Sequence, residues 1–159
     1  MNKKGFKSKI LHSSMKYSLI RNNFVSGRKG EIEWIKILKN KYPSIIDNNT
    51  IDKFSSMDAI SNENGIVIEH ELKSRNIHHN KHDGLMFNEC KMKKSIKQLE
   101  KGIRQIYYWN CTDGLYYWEF TDMKKQKDEM IFSRNGNHQT GEGDRDIVDI
   151  KTEFLKLYS

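Results

Sequence analysis

The sequence predicts a mixed α/β domain around one sheet. Two stretches, Gly30 to Tyr42 and Met92 to Ile103, repeat their apolar residues at helical spacing. Short β-type runs lie between and after them, separated by turn-rich segments containing Asn, Asp and Gly. The order helix, three strands, helix, two strands fits a single sheet with helices packed on it. A length of 159 residues, 18.9 kDa, suits one domain, read here as residues 28–159 behind an arm of residues 1–27.

Each element has a local reason. Met15 to Phe24 has the composition of a short helix, or of a segment lying against the domain. The helix from Gly30 is closed by Pro43, and Ile45–Ile46 reads as a short strand. Phe54 to Ile60 and Ile66 to Lys73 read as two strands joined by the turn Ser61-Asn62-Glu63-Asn64-Gly65. Residues 74–90 are polar and His-rich and read as a loop. In the second helix Met92, Ile96, Leu99 and Ile103 form the apolar stripe. Lys94, Lys97, Lys101 and Arg104 fall opposite it. Gln105 to Asn110 and Leu115 to Phe120 are aromatic-rich strands around the turn Thr112-Asp113-Gly114. Residues 121–146 lack periodicity apart from a strand at Met130 to Phe132. Ile147 to Ile150 reads as a last strand, and Glu153 to Leu157 as a short terminal helix.

Composition excludes several classes of function. The longest apolar runs, Ile106 to Trp109 and Leu115 to Trp118, are four residues each, far short of a membrane span. Mean hydropathy is −0.83, yet seventeen aromatic residues supply the packing area that disordered chains lack. Two cysteines, Cys90 and Cys111, make no disulfide framework, so an intracellular setting is expected, the cytoplasm or that of a host cell. Residues 1–30 hold eight basic side chains and no acid. The other 129 residues, with 20 basic and 21 acidic side chains, are near neutral. A basic arm ahead of a neutral domain suits a polyanion such as DNA, because each neutralised phosphate releases counterions.

The chemistry concentrates in the paired strands. Asp58 lies in the first. In the second, alternation puts Glu69, Glu71 and Lys73 on one face and Ile68, His70 and Leu72 on the other. A hairpin brings Asp58 to the charged face. Two carboxylates held close repel unless a cation lies between them, and Mg²⁺ takes one or two protein carboxylates and keeps its waters. A lysine beside them orients a water and neutralises charge on a phosphorus under attack.

Asp58, twelve residues, then Glu71-Leu72-Lys73 resembles the PD-(D/E)xK nuclease superfamily, which includes restriction endonucleases and archaeal-type Holliday-junction resolvases. The tripeptide recurs in related forms at Glu89-Cys90-Lys91, Asp122-Met123-Lys124 and Asp149-Ile150-Lys151. Only Glu71-Leu72-Lys73 has both an apolar strand before it and an Asp one hairpin upstream. The resemblance covers residues 28–120. It departs from the family at Met57, where a Pro is usual, at His70, and in the extra acid Glu69.

What the resemblance implies is a restriction-endonuclease-like core, a central mixed sheet flanked by helices in the order α-β-β-β-α-β. It implies a Mg²⁺-dependent DNA endonuclease, with Mn²⁺ substituting, in which Asp58 and Glu71 hold the metal and Lys73 assists the water. The family's first helix often supplies a further Glu. At about 100° per residue Glu31 falls within ~60° of the inward residues Trp34, Ile35 and Leu38, and Glu33 points away. Glu31 is therefore the expected third carboxylate.

Arg28, Lys29, Arg75, Lys91, Lys94, Lys97 and Lys101 are the expected phosphate contacts. A compact chain points to structure selection on junction or branched DNA. A sequence-specific restriction-type endonuclease and a catalytically inactive DNA-binding module are the alternatives. A homodimer is expected by analogy with enzymes that cut two strands. His78, His79 and His82 carry a His-x₃-His spacing without a cysteine pair, and fit a DNA-touching loop better than a zinc site. The aromatic residues of the second hairpin read as core rather than as base-stacking platforms.

Overall fold

The computed structural model describes residues 27–48, 57–137 and 142–159. Residues 1–26 of the basic arm, with the segment Met15 to Phe24, and the start of the strand expected from Phe54 lie outside the described residues, while Gly27 belongs to the first helix. Helix α1 (Gly27–Leu38) is followed by β1 (Ile46–Asp47), β2 (Ala59–Glu63), β3 (Ile66–Ser74) and β4 (Gly84–Met86). Helix α2 (Glu89–Glu100) leads to β5 (Arg104–Cys111) and β6 (Gly114–Phe120). A one-turn helix α3 (Met123–Gln126) precedes β7 (Met130–Asn137), β8 (Glu142–Lys151) and β9 (Lys156–Leu157). The fold is mixed α/β, and the central sheet keeps the expected order of helices and strands. Strand β4 is a fourth strand between the two long helices and belongs to a second sheet that the sequence did not lead one to expect.

Six strands form the central sheet in the order β1-β2-β3-β5-β6-β9. Among the described strands only β3 and β5 run parallel, and the connection between them carries α2, as a parallel pair requires. Helix α1 covers one face: Trp34, Ile35 and Leu38 pack on Ala59, Ile68, Ile106, Tyr108 and Leu115. Helix α2 covers the other, where Met92, Ile96 and Leu99 meet Tyr107, Trp109, Trp118 and Phe120. The central strand β5 therefore feeds both cores by alternation, Ile106 and Tyr108 to one, Tyr107 and Trp109 to the other. A second sheet, β4-β8-β7, closes over the α2 side through Leu85, Met130, Val148 and Ile150.

The hairpin between β2 and β3 is tighter than its sequence suggested. Pairing continues through Glu63↔Ile66, so only Asn64 and Gly65 turn. Their φ values of 55° and 82° are the left-handed pair that a two-residue type I′ hairpin needs, and Asn and Gly tolerate them best. Other boundaries also move. Helix α1 ends at Leu38 rather than Tyr42, and α2 begins at Glu89, capped by the Asn88 side chain on the Cys90 N–H at 2.8 Å. Arg104 belongs to β5, not to the basic helix face, and its guanidinium pairs with Glu119 at 2.7 and 3.0 Å.

The segment 74–90 contains β4 and the fully buried Phe87. Residues 121–146, expected to be largely irregular, contribute α3 and most of the β7–β8 hairpin. The terminal segment is a 3₁₀ turn (Thr152–Phe154) and then β9, which pairs with β6; the helix expected at Glu153 to Leu157 is absent. Leu157 is held opposite Tyr116 by that pairing.

A polar group is enclosed in the α1-side core. His70 is fully buried, its Nε2 2.9 Å from Ser61 Oγ and its Nδ1 3.2 Å from Tyr108 Oη. Burial pushes its imidazole down to about 3, helped by the nearby Arg104 charge, so the ring is neutral at neutral pH.

Candidate active site

The β2–β3 register decides what lies next to what. The register ends at Ala59 opposite His70, and Asp58, the residue just before β2, lies near enough to Glu71 and Lys73 for their charges to interact. Asp58 is anchored twice. Its N–H donates to the His70 carbonyl at 3.0 Å, and its Oδ2 accepts the Leu72 N–H at 2.7 Å. Glu71 is buried, with the Lys73 ammonium 3.6 Å from Oε1 and the Lys91 ammonium 2.9 Å from Oε2.

Burial, reinforced by the Glu71 charge, pushes Asp58 up to about 7 against the opposing pull of the Leu72 N–H. Glu31 and Lys91 also act on Asp58, the first raising it and the second lowering it. Burial lowers Lys73 below the ordinary lysine range, although Glu71 pulls the other way. Glu69 is tied off separately. Its two oxygens accept Gln98 Nε2 at 3.0 Å and Gln105 Nε2 at 2.8 Å, so amides rather than cations satisfy it.

The other expected residues are distributed as follows. Glu31 accepts a hydrogen bond from Arg28 at 3.2 Å, and Arg28 is also clamped to Asp47 of β1. Two acids thus engage Arg28, which was expected at phosphate. Glu33 faces outward with Lys36 at 2.6 Å. Lys29, Lys97 and Lys101 are exposed and Lys94 is half-buried. Arg75 follows β3, where its N–H bonds the Asn110 carbonyl at 2.9 Å. His78 and His79 converge on Asp113, and the His79 ring stacks on Tyr116 at 4.1 Å. Tyr107, Tyr108, Trp109, Tyr116 and Trp118 are buried. The rival triplet Asp149-Ile150-Lys151 lies on β8 in the second sheet, with Asp149 opposite Met86.

Sequence reasoning placed Lys91 at phosphate and missed its bond to Glu71. A signal was present. Lys91, Ser95 and Gln98 follow the spacing i, i+4, i+7, a polar stripe beside the apolar stripe of the same helix. All three point at the sheet: Lys91 to Glu71, Ser95 Oγ to Tyr107 Oη at 2.5 Å, and Gln98 to Glu69.

The donor set fits a hard divalent cation. Among the described residues no three His, Cys, Asp or Glu side chains are grouped closely enough to form an all-protein cage. Mg²⁺ needs none, since it binds through one or two carboxylates and retains waters. Burial first, and the Glu71 charge second, oppose the ionisation of Asp58, and a cation beside the two carboxylates would offset both.

Neither a protein-family model nor a curated protein matches the sequence. Among solved structures, the chain is similar to Hjc, a Holliday junction resolvase from the archaeal hyperthermophile Archaeoglobus fulgidus. The identity is 7%, the likeness covers 76% of this chain and 86% of that one, and the TM-score is 0.43. At those values the likeness adds nothing to the assignment of the site, which stands on the geometry. No helix among the described residues is long and apolar enough to cross a membrane.

Proposed function

We propose that this protein is a Mg²⁺-dependent DNA endonuclease, selective for junction or branched DNA and acting as a homodimer. One observation carries the reading. A half-buried Asp58 just before β2 and a buried Glu71 on β3 act on each other's charge, with Lys73 two residues beyond the Glu and 3.6 Å from it. A structural salt bridge needs one acid and one base. Two opposed acids in a half-buried setting are destabilising, and function is the reason to retain them.

In this reading Asp58 and Glu71 hold the cation, with Glu31 tuning the site through its charge on Asp58. The cation supplies Lewis acidity at a phosphoryl oxygen and charge neutralisation. Lys73, depleted of solvent, directs its ammonium at the attacking water and at the charge that develops on phosphorus. The Leu72 N–H fixes the Asp58 rotamer, so the acid does not swing away when the site fills. Lys94, Lys97 and Lys101, with Lys29 and Arg75, bind the phosphate backbone without reading sequence.

A panel of branched, nicked, linear and single-stranded DNAs, each with and without Mg²⁺, tests both parts of the reading. Mg²⁺-dependent cutting of branched substrates is expected. Equal cutting of linear duplex at one sequence would replace structure selection by sequence selection. Tight binding without cutting would make the protein an inactive DNA-binding module.

Two further results are expected. Glu31→Gln lowers the cleavage rate roughly tenfold, about 1.4 kcal/mol of transition-state stabilisation, and Glu33→Gln leaves it unchanged. Single-turnover kinetics of the two variants decide this, and the reverse order would remove Glu31 from the site. Deleting residues 1–26, just short of α1, removes six basic side chains. With three or four of them on phosphates, the slope of log affinity against log salt becomes shallower by ~3. A salt titration in an inactive Glu71→Gln background measures it, and an unchanged slope would make the arm a solvated tail.

A further inference from the structure

We infer that Lys91 is the resident counter-cation of the site, occupying Glu71 until a divalent metal displaces it, and that it thereby sets the metal affinity. The inference rests on the metal site proposed above and concerns a residue outside the Asp–Glu–Lys pattern. Its ammonium lies 2.9 Å from Glu71 Oε2, closer than the 3.6 Å between Lys73 and Oε1. Both oxygens of Glu71 thus face ammonium groups, and one Asp58 oxygen is held by the Leu72 N–H. A divalent cation held by a Glu71 oxygen would leave no room for an ammonium on the same oxygen. The two cations would also repel. A cation taken up on Oε2, the oxygen that Lys91 holds, would displace Lys91 and leave Lys73 on Oε1.

The position of Lys91 is otherwise unfavourable. It lies in the first turn of α2, three residues after the Asn88 cap, where the helix dipole disfavours a cation. It is held there by deliberate fastening. Ser95 Oγ bonds both the Lys91 carbonyl at 2.8 Å and Tyr107 Oη at 2.5 Å, and two turns along Gln98 bonds Glu69 at 3.0 Å. These bonds lock the rotation and height of α2 against β3 and β5, and so aim Lys91 at Glu71. The metal-free site is thereby neutralised internally, and loading requires enough divalent cation to compete with a tethered lysine.

The test is Mn²⁺ binding by isothermal titration calorimetry on the full chain without DNA, comparing wild type, Lys91→Gln, Lys91→Met, Lys91→Arg and Lys93→Gln, with circular dichroism confirming each fold. Removing the competitor in Lys91→Gln or Lys91→Met is expected to tighten Mn²⁺ binding about tenfold. Lys91→Arg, which keeps a cation at Glu71, should retain the wild-type affinity. Lys93→Gln, which removes a neighbouring charge paired with Glu89, should change it less than twofold. Unchanged or weakened binding in whichever of the two neutral Lys91 variants folds would overturn the inference, as would an equal gain in Lys93→Gln. Wild-type cleavage together with unchanged affinity in the variants would sink the role of Lys91 and leave the nuclease reading standing. Absence of Mn²⁺ binding in every protein would overturn both.

Discussion

Asp58→Asn should make the protein more stable at pH 8 while reducing cleavage about a thousandfold. The stability gain follows from the burial of the Asp58 carboxyl, to which the Glu71 charge adds. A carboxyl raised from 3.8 to about 7 opposes the fold by roughly 4 kcal/mol once ionised. The sign fixes the pH window. Below 3.8 the acid is protonated in both states and costs nothing; the penalty grows as pH rises towards 7 and is complete above it. Asparagine removes the charge and keeps a carbonyl oxygen for the Leu72 N–H, so about 2–4 kcal/mol should be recovered at pH 8. The gain should vanish near pH 4. Cleavage falls because a neutral amide is a poor partner for a divalent cation and several kcal/mol of charge stabilisation goes with it. Urea unfolding at pH 4, 6 and 8 measures the first effect. A variant less stable than wild type at every pH would contradict the assignment of Asp58 as a strained acid.

His70 should produce an opposite pH dependence that wild type conceals. Its imidazole is about 3 in the folded protein and near 6.5 when unfolded. Stability from this group is complete above pH 6.5. It is lost as pH falls towards 3, because the unfolded chain takes up the proton that the folded core refuses. Between pH 7 and pH 5 the loss is about 2 kcal/mol, and relief at Asp58 returns about the same amount over that interval. The two contributions nearly cancel. In the Asp58→Asn background the cancellation is gone, and stability should drop by about 2 kcal/mol more than in wild type from pH 7 to pH 5. Chemical denaturation of the Asp58→Asn variant at both pH values tests this, and a variant as stable at pH 5 as at pH 7 would show that His70 accepts a proton in the core.

Features written in local periodicity were legible in the sequence. The alternation in Ile66 to Lys73 places Glu69, Glu71 and Lys73 on one face, and the structure keeps them there. The inward phase of Glu31 relative to Glu33 follows from 3.6 residues per turn, and Trp34, Ile35 and Leu38 are buried as that phase requires. Features that depend on docking were not legible. The partner of Lys91 is set by the height at which α2 sits on β5, which no local pattern records. Arg104 was misplaced because Gly102 ends the helix with φ 77° and turns the chain into β5. The β7–β8 hairpin was missed beyond its apolar stubs because much of it is polar, and strand pairing rather than apolar alternation defines it. The last strand was read as a helix because two residues carry almost no periodicity of their own.

The two-residue turn at Asn64 and Gly65 acts as a length gauge for the chemistry. Side chains alternate faces along each arm of the hairpin, so one residue added to a single arm would rotate Asp58 away from Glu71 without altering either acid. One residue added to each arm would lengthen the hairpin and restore the opposition. Insertions and deletions between these acids are therefore tolerable only in balanced pairs. Proteins descended from a common ancestor with this site should differ in the length of the two arms by equal numbers, and an odd change within one arm alone should mark a lineage in which cleavage has been lost.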